Sequence, residues 1–156
     1  MGDIEHEQPR AWWRVKVACG AALIAILVDH YLYGLLPAGP SLPILLGQVI
    51  VIAGGLTTLY HYRILNRALG GEDKTAIMVC TGGLYPVLRH PMYSGDCLLY
   101  LGLFLLAPKP LGLGVLLLGW LALFMQAKAE DHYLAARFGE TFLDWRQRSG
   151  LLLPGL

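Results

Sequence analysis

Charge is scarce in this chain. Asp, Glu, Lys and Arg make up only 15% of its 156 residues, against 56% hydrophobic. A soluble domain carries roughly a quarter charged residues, and a disordered chain needs low hydrophobicity with high net charge; neither description fits. The formal net charge is +1, so no basic excess is available to hold a nucleic-acid backbone. Cysteine is also sparse. Cys19, Cys80 and Cys97 form no CxxC pair and no ligand-like cluster, which excludes a disulfide framework or a zinc site and leaves reduced or buried thiols. There is no internal repeat and no low-complexity tract. The opening MGDIEHEQPR is acidic, unlike a signal-peptide n-region. His6 stands where a myristoylation signal wants Ser or Thr. The first apolar stretch is therefore expected to remain as a membrane helix.

What is present is long apolar runs. A bilayer core of about 30 Å needs about 20 helical residues. Four segments approach that length, at 11–36, 41–60, 92–107 and 111–127. Trp12 and Trp13 at one end of the first, and Tyr31 and Tyr33 at the other, resemble interfacial anchors. Its Ala18, Ala21, Ala22 and Ala25 form a small-residue side suited to close helix packing. Pro37, Gly39 and Pro40 supply a turn, and Pro108-Lys109-Pro110 ends the short third segment. Gly112 to Gly119 imitates a nucleotide-binding glycine loop, but it follows no strand and reads as helix packing. Gln48 is expected to hydrogen-bond between helices. Asp29 and His30 are expected to reach the interface. The fold class is thus all-α integral membrane: one domain over 1–156, with four transmembrane helices and a C-terminal amphipathic helix at the cytoplasmic face.

Lys and Arg test this count. Four spans put eleven of the twelve on one side and only Lys109 on the other. The positive-inside rule then places both termini in the cytoplasm.

The remaining chemistry gathers in two stretches, 81–95 and 128–156. The first reads TGGLYPVLRHPMYSG. Pro91 suits the first turn of a helix, whose following amides favour negative charge. Arg89 could grip a carboxylate and Tyr85 and Tyr93 a ring or a cation; equally, Arg could snorkel and Tyr belt the headgroups. In the tail, Leu134, Phe138, Phe142 and Trp145 fall at helical spacing, with Asp131 inside that stripe and Glu130 at its edge. Such an acid is either solvated at the interface or an acceptor for a polar cofactor. Asp96, just past Gly95, is either a helix N-terminal charge or part of that site.

R-H-P-x-Y-x-G (Arg89, His90, Pro91, Tyr93, Gly95), followed by an apolar hairpin and by E-[ED]-x-x-L-x-x-x-F-G (Glu130, Asp131, Leu134, Phe138, Gly139), resembles the isoprenylcysteine carboxyl methyltransferase family over 81–156. The resemblance implies a membrane-helical enzyme that binds S-adenosylmethionine, releases S-adenosylhomocysteine and methylates a lipophilic small-molecule or lipidated acceptor. It assigns Arg89 or His90 to the cofactor carboxylate, with Arg89 also positioning the reaction. Glu130, and behind it Asp131, would take the ribose diol or ammonium. Tyr85, Leu88 and Tyr93 would wall the adenine, with Pro91 and Gly95 completing the cofactor motif. The sequence departs from the family at Asp131, one methylene short of Glu, and at Phe142 and Trp145, where hydroxylated rings are usual. Phospholipid N-methyltransferases, thiol methyltransferases and a non-catalytic membrane scaffold remain as alternatives, and the oligomeric state is unread.

Overall fold

The computed structural model describes residues 11–33, 41–69 and 82–155. The N-terminal decapeptide, residues 34–36 of the first expected span, the Pro37–Pro40 turn, and Cys80 and Thr81 lie outside them. Among the described residues five helices follow in order: α1 Ala11–Tyr33, α2 Leu42–Leu69, α3 Pro91–Leu106, α4 Pro110–Phe138 and α5 Glu140–Arg148. Among the described residues there is no strand, only an isolated parallel bridge between Leu88 and Gly150.

Helices α1, α2 and α4 are long and apolar enough to cross a membrane; α3 is apolar but has 16 residues, about 24 Å of helix. Its start and stop are local. Pro91 occupies the first turn, and Ala107 closes the last turn through a backbone bond to Phe104 before Pro108. The two ends of the bundle are distinct. The start of α1, the end of α2, the start of α3 and the middle of α4 meet at one end. At the other, Lys109 pairs with Asp29 at 2.6 Å, both exposed.

Helix α3 lies between α2 on one side and α1 and α4 on the other. The closest approach is α2 on α3, made by glycines seven residues apart on each helix: Gly47 and Gly54, Gly95 and Gly102. A Cβ at Gly54 would lie 2.5 Å from the Leu99 nitrogen, and one at Gly102 2.6 Å from the Val51 nitrogen. This corrects the alanine reading: Ala18, Ala21 and Ala25 are exposed, and α1 buries Cys19 and Leu23 instead. Gly119 packs against the Tyr100 ring, in agreement with its reading as helix packing. Gln48 is exposed and bridges no described helix.

The central core gathers Cys19 and Leu23 of α1, Tyr93, Tyr100 and Leu103 of α3, and Leu116, Leu123 and Ala127 of α4. The outer faces of α1 and α2 carry Ile24, Val28, Leu32, Leu45, Val49, Ile52 and Leu56, all exposed. In water such a surface would be a liability. Against lipid tails it is the ordinary outside of a helix whose backbone bonds are satisfied internally, and the chain is an integral membrane protein.

Helix α4 does not stop at Ala127. It runs on to Phe138, and Gly139, at φ 54°, breaks it from α5. The tail is therefore two helices and not the single amphipathic helix expected from 128. Phe142 is i+4 from Phe138, so the apolar spacing continues across the break. Phe142 and Trp145 pack with Tyr85 in a second cluster, against Ile64, Leu134, Ala135 and Phe138.

Candidate active site

The segment before α3 is held from two sides. From α2, the buried His61 donates from Nδ1 to the Thr57 carbonyl at 2.7 Å and accepts the Leu84 N–H on Nε2 at 2.9 Å. From the tail, Gly150 and Leu151 accept the backbone N–H groups of Arg89 and His90 at 2.8 and 3.2 Å, and Gly150 donates to Val87 at 2.9 Å. Ser94 Oγ donates to the Leu152 carbonyl at 2.6 Å. Trp145 Nε1 donates to the Tyr85 carbonyl at 3.3 Å. The residues after Arg148 thus run beside 87–90 as a clip.

Between clip and bundle, charged side chains from the two motif stretches converge. Arg89 Nε lies 3.0 Å from Asp131 Oδ2. Its N–H is not aimed at that oxygen, so the contact is an ion pair and not a hydrogen bond. Arg89 Nη1 donates to the carbonyls of Arg146, at 2.9 Å, and Ser149. His90 Nε2 sits 2.8 Å from Asp131 Oδ1 and Nδ1 3.5 Å from Glu130 Oε2. Tyr93 stacks on His90, ring centroids 5.5 Å apart, and donates its hydroxyl to Glu130 Oε1 at 2.5 Å. Gln126, one turn before Glu130, donates to the same oxygen at 2.8 Å.

The two acids differ. Asp131 has both oxygens engaged and its side chain is 8% exposed; that of Glu130 is 29% exposed. A buried carboxylate between a guanidinium and an imidazole is stabilised only while both partners remain. Asp131 therefore fixes the cluster, and Glu130 is the acid a solute can reach.

Of the residues singled out from sequence, Arg89, His90, Tyr93, Glu130 and Asp131 come together. Leu88 is buried beside Gly150, and Pro91 forms the first turn of α3. Tyr85 belongs to the apolar cluster of Phe142 and Trp145. Gly95 faces α2, where a Cβ would lie 2.8 Å from the Thr58 nitrogen, so helix contact accounts for it. Sequence reasoning missed Gln126, His61, the Gly150 clip and the partners of Asp96. The i, i+4 spacing of Gln126 and Glu130 was a usable signal; backbone acceptors such as the Ser149 carbonyl leave none.

Helices able to cross a membrane, with one charged and aromatic cluster at a single end of the bundle, define a membrane protein with a polar site at that end. The family model of phospholipid methyltransferase matches residues 42–141, and the chain belongs to that family. The match is to the phospholipid methyltransferases, relatives of the isoprenylcysteine carboxyl methyltransferases to which the motifs bear a likeness. No curated protein and no solved structure matches the chain.

Proposed function

We propose that the chain transfers a methyl group from S-adenosylmethionine to a lipophilic acceptor at the cytoplasmic face of a membrane. The observation that carries this reading is the meeting of Arg89, His90, Glu130 and Asp131, from stretches about forty residues apart, in one cluster. The family match supports the reaction class.

The donor set fits the cofactor. Arg89 is the cation for its carboxylate. His90, each of whose ring nitrogens faces an acid, is a poorer anion site, which favours Arg89 over His90 for the carboxylate. Glu130, partly exposed, takes the ribose diol or ammonium, and Asp131 holds Arg89 and His90 in place. Tyr93, Tyr85 and Leu88 are the candidates for the adenine wall, with Pro91 opening the helix beside them; the Tyr93 ring already carries His90 and Lys16, so its part there is an edge contact. Gly95 is left out, since α2 covers its open side. When bound, the cofactor supplies an electrophilic methyl on a sulfonium. The chain's own contribution is to hold the two reactants in line, and such positioning supplies about 7–11 kcal/mol. Arg14, Arg63, Arg67, Arg89, Lys128, Arg137, Arg146 and Arg148 belong to the site end and Lys109 to the other, which supports a cytoplasmic site end.

Two acceptor classes stand side by side. The family match favours a phospholipid amine; the motif likeness favours a prenylated cysteine carboxylate. The test is calorimetry with S-adenosylhomocysteine on detergent-purified protein, then labelled methyl transfer to phosphatidylethanolamine, a prenylated cysteine and an alkyl thiol. Binding that is lost in Arg89→Ala and Glu130→Ala, with a labelled lipophilic product, is the expected result. Absence of heat and of any thermal shift at millimolar ligand sinks the reading. Full function with both substitutions would make the chain a scaffold.

A further inference from the structure

A second charged group lies inside the bundle, outside both motifs. Lys16 of α1 and Asp96 of α3 are 3.2 Å apart, with side chains 11% and 17% exposed. Asp96 Oδ1 accepts the Thr58 hydroxyl of α2 at 3.0 Å. The Lys16 ammonium lies 4.1 Å from the centroid of the Tyr93 ring, the ring that stacks on His90 and donates to Glu130. Three helices therefore converge on one ion pair, a single aromatic ring away from the proposed cofactor cluster. Lys16 lies outside the residues matched by the family model.

Packing does not call for this pair. Apolar residues of similar volume usually replace a buried ion pair without loss of stability, and often with a gain. Ionisable residues among membrane helices are rare and mark functional sites. The pair is also incompletely used. An ammonium has three donors, and Lys16 spends one on Asp96 while its charge rests on a ring face.

We propose that Lys16 and Asp96 form the acceptor subsite, which takes the zwitterionic head of an amine-bearing phospholipid by exchange of partners. The inference rests on the methyl-transfer reading above. The lipid phosphate replaces Asp96 at Lys16, and the lipid ammonium replaces Lys16 at Asp96. Each protein charge keeps a partner of the same sign as before, so neither is left buried and alone. A carboxylate acceptor supplies only one pole; it would satisfy Lys16 and strand Asp96. Selectivity for the zwitterion follows from that stranded charge. In the transfer step the ammonium gives one proton to Asp96. The freed nitrogen lone pair then forms the N–C bond as the C–S bond breaks, and the bonding pair stays on sulfur. The products are a methylammonium lipid and S-adenosylhomocysteine, with the proton on Asp96.

The test uses the full chain in mixed micelles with Asp96→Asn, and with a Lys16→Gln/Asp96→Asn double variant that keeps a neutral hydrogen-bonded pair. S-adenosylhomocysteine affinity, the thermal midpoint, kcat and KM are measured, with phosphatidylethanolamine and an N-acetylated farnesylcysteine, whose blocked amine leaves the carboxylate as its one charge, as acceptors. The expected result is unchanged S-adenosylhomocysteine affinity in both variants and an unchanged thermal midpoint in the double variant, which alone leaves no buried charge unpaired, with KM for phosphatidylethanolamine raised about tenfold or more in both. Wild type should prefer phosphatidylethanolamine to the farnesylated carboxylate. Unchanged KM overturns the proposal, as does wild-type preference for the carboxylate. Loss of S-adenosylhomocysteine affinity or of folded protein in both variants overturns it too, because the pair would then be a helix lock. Wild type that fails to bind S-adenosylhomocysteine at all refutes the methyl-transfer reading itself.

Discussion

Gly54 and Gly55 are neighbours on α2, yet alanine should act on them with opposite sign. A Cβ at Gly54 would meet the Leu99 nitrogen at 2.5 Å and the Gly95 oxygen at 2.7 Å, both backbone atoms of α3. Ordinary contact begins near 3.4 Å, so the helices would have to part by the better part of an ångström. Side chains could move aside; two helical backbones cannot. Overpacking of this kind costs about 1–3 kcal/mol. At Gly55 a Cβ meets nothing within 4 Å, and alanine instead gains helix propensity, up to about 1 kcal/mol. Helix propensity is gained at both positions and cancels in the comparison, so the predicted gap between the two variants is the packing cost, about 1–3 kcal/mol, from additions of one methyl group each. Reversible unfolding in mixed detergent micelles, followed by far-ultraviolet circular dichroism, measures it. Gly54→Ala should also weaken the bond from Thr58 to Asp96, which spans the same helix contact. Equal stability of the two variants would refute the reasoning that backbone contact, and not helix propensity, governs the α2–α3 interface.

Three further outcomes follow from contacts described above. Asp131→Ala leaves Arg89 without its counter-charge and His90 Nε2 without its partner, and should cost about 3–5 kcal/mol; unfolding of a folded variant at wild-type stability would contradict this. Gly150→Pro removes the N–H donated to Val87, so hydrogen exchange at the Arg89 and His90 amides should rise, while exchange in the middle of α4 stays as it was. Lys109→Ala breaks an exposed pair and should change stability by less than about 1 kcal/mol, since water already screens both charges.

Much of the membrane architecture is legible because apolar runs are long and local. The limits of that signal are also physical. Hydropathy reports which residues tolerate lipid, not where helical hydrogen bonding stops. Hence α2 continues past Tyr60 to Leu69, and α4 past Ala127 to Phe138, through residues too polar for a bilayer. The break at Gly139 is hidden for a related reason: Phe138 and Phe142 keep a helical interval across it, and only the glycine marks it. The seven-residue glycine intervals on α2 and α3 were readable, but a stripe of alanines on α1 offered the more familiar pattern. In the candidate site, Arg89, His90, Glu130 and Asp131 are legible as motif residues. Their division of labour is not, because it depends on which acid is buried. The Lys16–Asp96 pair spans eighty residues, and no local pattern announces such a partner.

The tail clip bears on when the site is finished. Arg89 closes on carbonyls 57 and 60 residues further along the chain, and its backbone is tied to Gly150. During synthesis all the long helices are made before those acceptors exist. A nascent chain ending at Phe138 would hold every described membrane helix and both acids, with the guanidinium still ungathered. The candidate site is thus completed only by residues that follow α4, made after every long helix it draws on.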